Sequence, residues 1–460
     1  MKHICLVDVV GLTPELISSR TPVLQELAGG ETSQDSHALE GVFPAVTLPP
    51  QASVLTGTPP SQHGIVGNGW LYDTQEIRFW QQSRQLVSGE TIYEAARSEF
   101  GESFTSALVF FWFSQGARCA DYRVIPKPWY GSDGRKEFDI HGAPSTYVDD
   151  LKQELGEFPF FTFWGPNSGP PATEWIAQAT AHTLESRRPN LTFSYLPLLD
   201  YPLQKYGPDS AEAEEALSNV DDCVGTIKEA AERTDTKLVI FSEYGLSPVE
   251  QPVHINRLFR KQGWLKVRTG PFGEKLDVGQ SSVFAAADHQ IAHVYVRDDE
   301  LIPEVQDLLE QSSGVDQVLG REGKHEFQID HPRSGDLIAI ADPDAWFTYY
   351  FWLDDNRAPD YARTVDIHRK PGYDPVEMFV DPEITIPKLK AGWTVLKKKL
   401  GFRYRMDLTP LDATLVQGSH GRPPSTTESG PVFLSPDLEP PEPQGMTQIK
   451  PWLMNQFRSS

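Results

Sequence analysis

A threonine at the start of a short proline-rich helix is the first residue whose setting suits chemistry. Thr47 lies in FPAVTLPPQASVLTGTPPSQHGIVGN, residues 43–68, where two prolines follow it closely and Gly57 ends the helical pattern. Because proline is favoured in the first helical turn and glycine just after the last, we expect a helix that begins next to Thr47. The N–H groups and dipole at a helix N-terminus favour a negatively charged oxygen, so Thr47 could be a nucleophile. An ordinary N-cap threonine fits the same pattern.

Acidic residues at the ends of apolar runs are the second group of candidates. Asp8 lies at the end of one run, Asp200 follows another, and Glu243 follows KLVIF. Glu243 is itself followed by Tyr244 and Gly245, which is an unusual exit from a buried strand. The carboxylate either holds a ligand there or provides a polar turn.

The elements that must position these residues alternate between strands and helices. Apolar runs predict four buried strands, within residues 4–10, 106–113, 191–199 and 237–241. Apolar residues at helical spacing predict a long amphipathic helix over 209–234. Short buried strands separated by helices predict a parallel, doubly wound α/β sheet. Ligands in such sheets bind outside the carboxyl ends of the strands, where all three acidic residues fall.

The chain changes in character after its first half. Residues 255–375 predict a smaller inserted cap, with a strand–helix–strand unit and an aromatic-rich hairpin at 335–355. The remaining residues, 1–254 and 376–460, are predicted to form the core domain. From residue 421 the sequence is rich in proline and serine, which indicates an extended surface tail with limited helix.

Composition narrows the class of protein and its partners. The 460 residues carry a formal net charge of −23, which argues against a nucleic-acid duplex or an anionic membrane as the main partner. The three cysteines lack metal-type spacing and are expected to be reduced. No signal peptide or run of about 18 apolar residues is evident, so we expect a cytoplasmic protein without a transmembrane helix. The net charge says nothing about a small anionic substrate, which a few local cations or metals could still hold, and an oligomer is possible.

Five blocks in order carry a resemblance to a known family. They are LVDVVGL, the Thr47 block, LLDYPLQKYGP, IFSEYGL and VQGSHGR. The chain resembles the alkaline phosphatase superfamily, in particular its nucleotide pyrophosphatase/phosphodiesterase branch. The resemblance implies an α/β sandwich with a central, mostly parallel sheet, helices on both faces and a smaller inserted cap. It also implies a metal-dependent hydrolase or transferase that acts on a phosphate ester or diester, so that the expected partner is a small phosphorylated or anionic metabolite.

The resemblance assigns roles to individual residues. Thr47 matches the nucleophile, which is also a metal ligand, and Asn68 matches the residue that binds a phosphoryl oxygen. Asp8, Asp200 and His420 match metal ligands. Members of this branch hold two divalent metals, usually zinc, and pass through a covalent phospho-threonine.

Three positions, in two motifs, depart from the family pattern. Gln204 stands where the family has a histidine ligand, and Glu243 with Tyr244 replace an aspartate and a second histidine. An amide oxygen is a weak zinc ligand but suits magnesium, manganese or calcium. Glu243 could still coordinate a cation, whereas Tyr244 is a poor ligand and could instead donate a hydrogen bond or a proton. We therefore expect one or two divalent ions in an oxygen-rich site, with Gln204 and Tyr244 in supporting roles.

Replacement ligands could come from the inserted region. The segment TVDIHRKPGYDP supplies four candidates: Asp366, His368, Arg369 and Lys370. The first two could ligate metal and the last two could bind a substrate phosphate, although a charged surface turn fits the segment equally well. His368 competes with His420 as the last metal ligand, and His420 is preferred because GSHG is the closer match. His289 precedes the apparent strand IAHVYV, and His293 lies in it. Both are expected to line a core or pocket.

Three accounts of function remain open at this point. The chain is a metal-dependent hydrolase with a remodelled site, an enzyme with a different reaction on an anionic metabolite, or a non-catalytic binding protein. Joint retention of Thr47, Asn68, Asp8, Asp200 and His420 weighs against the third account.

Overall fold

The computed structural model describes residues 2–30, 37–132, 136–400 and 405–459. Its strands are β1 (His3–Val9), β2 (Gly69–Tyr72), β3 (Glu76–Phe79), β4 (Ser106–Val109), β5 (Tyr122–Pro126), β6 (Trp129–Tyr130), β7 (Lys136–Glu137), β8 (Ile140–Ala143), β9 (Leu191–Leu196), β10 (Thr236–Phe241), β11 (Ser247–Pro248), β12 (Gln251–Val253), β13 (Val267–Gly270), β14 (Gly273–Leu276), β15 (Val283–Asp288), β16 (Ile291–Val296), β17 (Val315–Leu319), β18 (Leu337–Ala341), β19 (Ala345–Phe347), β20 (Gly418–Ser419) and β21 (Phe433–Leu434). Its α-helices are α1 (Pro22–Leu27), α2 (Leu48–Thr56), α3 (Pro60–His63), α4 (Ile92–Phe100), α5 (Ser145–Leu155), α6 (Pro170–Arg187), α7 (Asp200–Tyr206), α8 (Ala211–Arg233), α9 (Ile255–Lys261), α10 (Ile302–Glu310), α11 (Arg321–Glu326), α12 (Pro387–Lys399) and α13 (Ile449–Arg458).

A seven-stranded sheet forms the centre of the molecule, in the order β21-β10-β1-β9-β4-β5-β8. The five strands from β10 to β5 run parallel, and the two edge strands are antiparallel. The apolar runs predicted as strands are fully buried in β1, β4 and β9 because helices cover the sheet. Helices α6 and α8 pack against each other and against β9 and β10. The predicted α/β fold with a mostly parallel sheet is confirmed.

The register of the sheet brings the predicted acidic residues to one edge. Asp8 in β1 pairs with Phe241 in β10 and with Tyr195 in β9. Because these strands are parallel and adjacent, the segments that follow them leave the sheet side by side. Glu243 and Asp200 lie in those segments, next to Asp8.

Helix α2 begins directly after Thr47, as predicted. Leu48, Pro49 and Pro50 form its first turn, where proline does not interrupt a helical hydrogen bond. Gly57 ends the helix with φ of 71°, a left-handed conformation that glycine adopts without steric cost.

A second, antiparallel sheet with the order β15-β16-β18-β17 lies within the predicted cap. The predicted strand–helix–strand unit is confirmed as β16, α10 and β17. The aromatic hairpin predicted at 335–355 is wrong, because β19 pairs in parallel with β12 rather than with β18. Both arms are buried and apolar, and such runs do not reveal which strand is the partner. The predicted cap boundaries stay a prediction.

The tail after residue 421 returns to the core. Strand β21 pairs with β10 at the edge of the central sheet, and α13 packs near α2 and α4. The three cysteines form no disulfide within the described residues, and the cytoplasmic location stays a prediction. Among the helices described here, none is long and apolar enough to cross a bilayer.

Candidate active site

A glutamine amide joins two of the predicted acidic residues. The Nε2 of Gln51, in α2, donates to Asp8 Oδ2 at 3.1 Å and to Glu243 Oε1 at 2.6 Å. The Oε1 of Gln51 accepts the backbone N–H of Trp112 at 2.9 Å, which fixes the amide with its nitrogen toward the carboxylates. Sequence analysis missed Gln51, although its place one helical turn after Thr47 was a usable signal.

The nucleophile candidate contacts the residue that replaces a histidine. Thr47 Oγ1 lies 3.1 Å from the hydroxyl of Tyr244, and both side chains are buried. Burial and the nearby carboxylates of Asp200 and Glu243 raise the pKa of Tyr244 well above its ordinary value. Tyr244 is therefore a neutral phenol, and either hydroxyl can donate the hydrogen bond between Tyr244 and Thr47.

A second glutamine holds the carboxylate of Asp200. Gln204 Nε2 donates to Asp200 Oδ2 at 2.7 Å, and Gln204 Oε1 accepts the hydroxyl proton of Tyr373 at 2.8 Å. His420 Nε2 lies 3.7 Å from Asp200 Oδ1. The Nδ1–H of His420 donates to the carbonyl of Ala45 at 2.7 Å, so Nε2 keeps its lone pair on the side of Asp200.

The phosphoryl-binding candidate is engaged by an aspartate from the second sheet. Asn68 Oδ1 accepts the N–H of Leu48 at the start of α2. The backbone N–H and Nδ2 of Asn68 donate to the two carboxylate oxygens of Asp288, at 2.8 and 3.2 Å. Asp288 therefore takes up the backbone N–H and one of the two Nδ2–H donors of the residue that the family resemblance assigns to a phosphoryl oxygen.

Four aromatic rings lie one after another beside these groups. The order is Tyr373, His289, His420 and Tyr244, with centroid separations of 3.6, 3.8 and 3.7 Å; the outer two pairs are stacked, and the two imidazole rings are tilted by 38°. His289 lies in the turn between β15 and β16 with φ of 60°, and its Nδ1–H donates to Asp288 at 2.8 Å. The predicted strand is confirmed, and His293 within it bonds the carbonyl of Val66 as a core residue.

Burial raises the pKa of each carboxyl group at the strand ends. The pKa of Asp200 rises to about 7, with the Gln204 hydrogen bond opposing the shift. The pKa values of Asp8 and Glu243 also rise through burial, and the negative charge of Asp8 raises that of Glu243 further. Three buried acids close together would be stabilised in their ionised forms by a nearby cation.

Four potential ligand atoms fit such a cation. Within the described part of the chain, each of these buried atoms lacks a hydrogen-bond partner: Asp8 Oδ1, Glu243 Oε2, Asp200 Oδ1 and His420 Nε2. We call them the free ligand atoms. A buried polar atom without a partner is costly, so their presence at one sheet edge favours a cation. Among the described residues no three His, Cys, Asp or Glu side chains converge as one metal-binding group. We treat the free ligand atoms as two pairs, because Asp200 Oδ1 and His420 Nε2 lie 3.7 Å apart and Gln51 joins Asp8 to Glu243.

The segment TVDIHRKPGYDP contributes little to this centre. Asp366 is paired with Lys136 and with the exposed Arg369, and His368 is exposed. Lys370 is buried against Asp374 and Glu377 at 2.6 and 2.7 Å. The prediction of Lys370 as a substrate-binding cation is corrected, since two carboxylates already hold its ammonium group. Its neighbour Tyr373, which sequence analysis missed, is the residue of this segment that reaches Gln204.

Residues 4–374 match the model of the family described as type I phosphodiesterase / nucleotide pyrophosphatase. The chain belongs to this family. It is 24% identical over 279 residues to ectonucleotide pyrophosphatase/phosphodiesterase 1 of Saccharomyces cerevisiae, which covers 54% of this chain and 34% of that relative. It is 24% identical over 241 residues to ectonucleotide pyrophosphatase/phosphodiesterase family member 1 of Homo sapiens, covering 50% of this chain and 22% of the relative. The match thus spans about a third or less of the length of these two family members.

Solved structures of the same fold cover nearly the whole chain. Phosphonoacetate hydrolase from Sinorhizobium meliloti 1021, in complex with phosphonoformate, has a TM-score of 0.61 at 15% identity and covers 99% of this chain and 95% of its own. Murine ectonucleotide pyrophosphatase / phosphodiesterase 5 has a TM-score of 0.58 at 13% identity, with the same coverage. At these identities the likeness establishes the fold of this family member and no more.

Proposed function

We propose that this protein hydrolyses, or transfers, the phosphoryl group of a phosphate ester or diester with Thr47 as the nucleophile. The observation that carries the proposal is the place of Thr47 at the N-terminus of α2, with its hydroxyl 3.1 Å from that of Tyr244, whose ring stacks on His420, a residue that carries one of the free ligand atoms. Membership of the phosphodiesterase family supports the reaction class. A small phosphorylated metabolite is the proposed substrate.

The reaction proceeds by two displacements at phosphorus. The Oγ of Thr47 forms a bond to phosphorus and loses its hydroxyl proton while the bond to the leaving alcohol oxygen breaks, and the alcohol takes up one proton, so that the step is balanced. Water, or an acceptor alcohol, then attacks the phospho-threonine and releases Thr47. Tyr244 holds the threonine hydroxyl by its 3.1 Å hydrogen bond before the attack. Asn68 Nδ2 carries two N–H groups, and the one that is not bonded to Asp288 would donate to a phosphoryl oxygen.

A divalent cation is part of the proposal. Asp8 and Glu243 would hold it next to Thr47, and Asp200 and His420 would hold a second one, with Gln204 in support. A bound cation would stabilise negative charge on the threonine and phosphoryl oxygens. Because oxygens dominate the ligand set, manganese, magnesium or calcium suits the first pair better than zinc.

Metal analysis of the untagged protein, combined with Thr47→Ala and Thr47→Ser, tests the proposal. We expect bound metal and turnover of aryl phosphate esters or diesters, lost by about 10³-fold or more in Thr47→Ala. Thr47→Ser keeps a hydroxyl and is the matched control, so it should retain measurable turnover. Turnover unchanged in Thr47→Ala would contradict the nucleophile, and absence of any metal response would contradict the cation.

Binding without turnover is a second candidate function. It is favoured by the contacts of Asn68 with Asp288, which engage its backbone N–H and one of its two Nδ2–H groups, and by the 3% exposure of Thr47. Calorimetry with inorganic phosphate and a nucleoside monophosphate distinguishes the two functions. Binding by both wild type and Thr47→Ala, with no turnover of any ester by wild type, would support the second candidate.

A further inference from the structure

Helix α12 exposes a row of apolar side chains. Five of them, in or next to the helix, are between 44% and 66% exposed: Ile386, Leu389, Trp393, Leu396 and Leu400. Their spacing alternates between three and four residues, which places them on one side of an α-helix. We call these five residues the α12 stripe.

The helix is attached to the body through other residues. Thr394 does not share the spacing of the α12 stripe and is buried. The ammonium group of Lys390 donates to the carbonyl of Asp407. These contacts hold α12 in place while the α12 stripe remains exposed to solvent.

The charge of α12 is opposite to that of the whole chain. Its sequence, PKLKAGWTVLKKK, has five lysines and no acidic residue, whereas the chain carries a formal net charge of −23. Lys397 lies with its Nζ 5.7 Å from the centre of the Trp393 ring, so charge and apolar surface adjoin. A lysine-rich helix with tryptophan and leucine along one side is typical of segments that lie in the interface of a membrane.

A second copy of this chain suits the α12 stripe less well. Two α12 helices in contact would bring ten lysines together, and the acidic body of another copy would meet the lysines but not the apolar side chains. An anionic bilayer offers both partners, since its headgroups attract lysine and its acyl region accepts leucine and tryptophan.

We propose that α12 docks this protein on the surface of an anionic lipid bilayer. The expectation from composition that excludes a membrane used the net charge of the whole chain. Attraction to a charged surface acts within about a Debye length. The local charge of α12, rather than the net charge of the chain, therefore determines whether α12 is attracted to the bilayer. Docking of this kind places a helix in the interface and requires no spanning segment.

Vesicle flotation of the full chain tests the proposal. The probes are phosphatidylcholine vesicles with and without about 30% phosphatidylserine, at low and high salt. We expect wild type to float only with the anionic vesicles and to be released by salt. Failure to float with anionic vesicles at low salt would overturn the proposal.

Substitutions separate the apolar and the electrostatic contributions. Trp393→Glu with Leu396→Glu, and separately Lys397→Glu, should each weaken vesicle binding about 10-fold. Phe272→Glu is the matched control, because Phe272 is 63% exposed at the turn between β13 and β14. It should float as wild type does, and circular dichroism and thermal melting confirm that each variant is folded.

A second copy as the occupant would give a different result. Light scattering would then show a dimer that Trp393→Glu with Leu396→Glu dissociates, with no difference in flotation between that variant and wild type. That result, or equal flotation by Phe272→Glu and the stripe variants, would overturn the bilayer proposal.

Discussion

The candidate site has two halves that offer different ligands to a cation: Asp8 with Glu243 in one half, and Asp200 with His420 in the other. In each half a glutamine amide donates to one oxygen of a carboxylate and leaves the other oxygen as a free ligand atom: Gln51 does so for Asp8, and Gln204 for Asp200. The half with Asp8, which we propose holds a cation next to Thr47, adds a second carboxylate, Glu243, whereas the other half adds the imidazole of His420, whose ring stacks on Tyr244 at 3.7 Å. The first half therefore offers only oxygen ligands, and the second half retains a nitrogen ligand.

Each half contains a residue that departs from the family resemblance. Tyr244 and Gln204 occupy positions where the resemblance places histidines, and each makes a hydrogen bond within its half instead. We infer that the half beside the nucleophile prefers a hard cation, and that the half with His420 tolerates zinc better.

Loss of a carboxylate beside the nucleophile should have the largest effect. Asp8→Asn removes one of the two negative charges that face the proposed cation next to Thr47, so turnover should fall by about 10³-fold. His420→Gln, in the other half, is the comparison and should cost less if the two halves differ as described. The measurement is kcat/KM with manganese at saturation, and an equal loss in both variants would remove the distinction.

Restoring an imidazole should change the metal preference of one half at a time. Tyr244→His gives the half beside Thr47 a nitrogen ligand, and zinc affinity should rise about 10-fold or more relative to manganese. Gln204→His is the matched variant in the other half, where a smaller relative gain is expected because His420 is already present. Competitive titration with a zinc indicator measures both, and unchanged selectivity in Tyr244→His would argue that this side chain does not face a cation.

The pH dependence of stability should reveal the buried carboxyls when metal is removed. The pKa of Asp200 is about 7 in the folded protein, against an ordinary value of 3.8. The folded state therefore holds a proton that the unfolded state has lost between these values, and stability falls as pH rises from about 4 to 7. This one group changes the free energy of unfolding by about 1.4 kcal/mol per pH unit across that window.

Thermal melts of chelator-treated protein from pH 5 to 8 measure this effect. Asp200→Asn is the control and should make the fall in stability less steep without abolishing it, since the raised pKa values of Asp8 and Glu243 remain, while added manganese should reverse the loss of stability. A melting temperature that rises with pH in the chelated wild type would contradict the assignment of raised pKa values.

The smallest effect is expected for the hydroxyl that orients Gln204. Tyr373→Phe leaves Gln204 Oε1 without its 2.8 Å hydrogen bond but keeps the ring in the stack. Activity should fall only a few-fold, through looser positioning of Asp200. Tyr349→Phe is a matched control, since the buried Tyr349 hydroxyl has no hydrogen-bond partner within the described residues. A larger loss in the control than in Tyr373→Phe would contradict the positioning role.

The sequence was sufficient for the fold but not for the contacts inside the site. Apolar runs and five ordered blocks predict the parallel sheet, the start of α2 and the acidic strand ends, because these depend on local pattern. The role of Gln51 depends on the N–H of Trp112, which lies 61 residues away in the chain. Likewise, Tyr373 meets Gln204 across 169 residues. Such contacts are set by packing, which periodicity does not encode. Exposure of the α12 stripe is also a property of the folded chain.

Manganese titration of the chelator-treated protein tests whether turnover depends on both a bound cation and Thr47. Calorimetry and ester turnover are followed in the same preparation, with Thr47→Ala beside wild type. The account predicts saturable binding of one or two ions by both proteins, with turnover that rises in parallel in wild type alone. Full turnover in the chelator-treated protein before manganese binds, or equal turnover in Thr47→Ala and wild type, would contradict it.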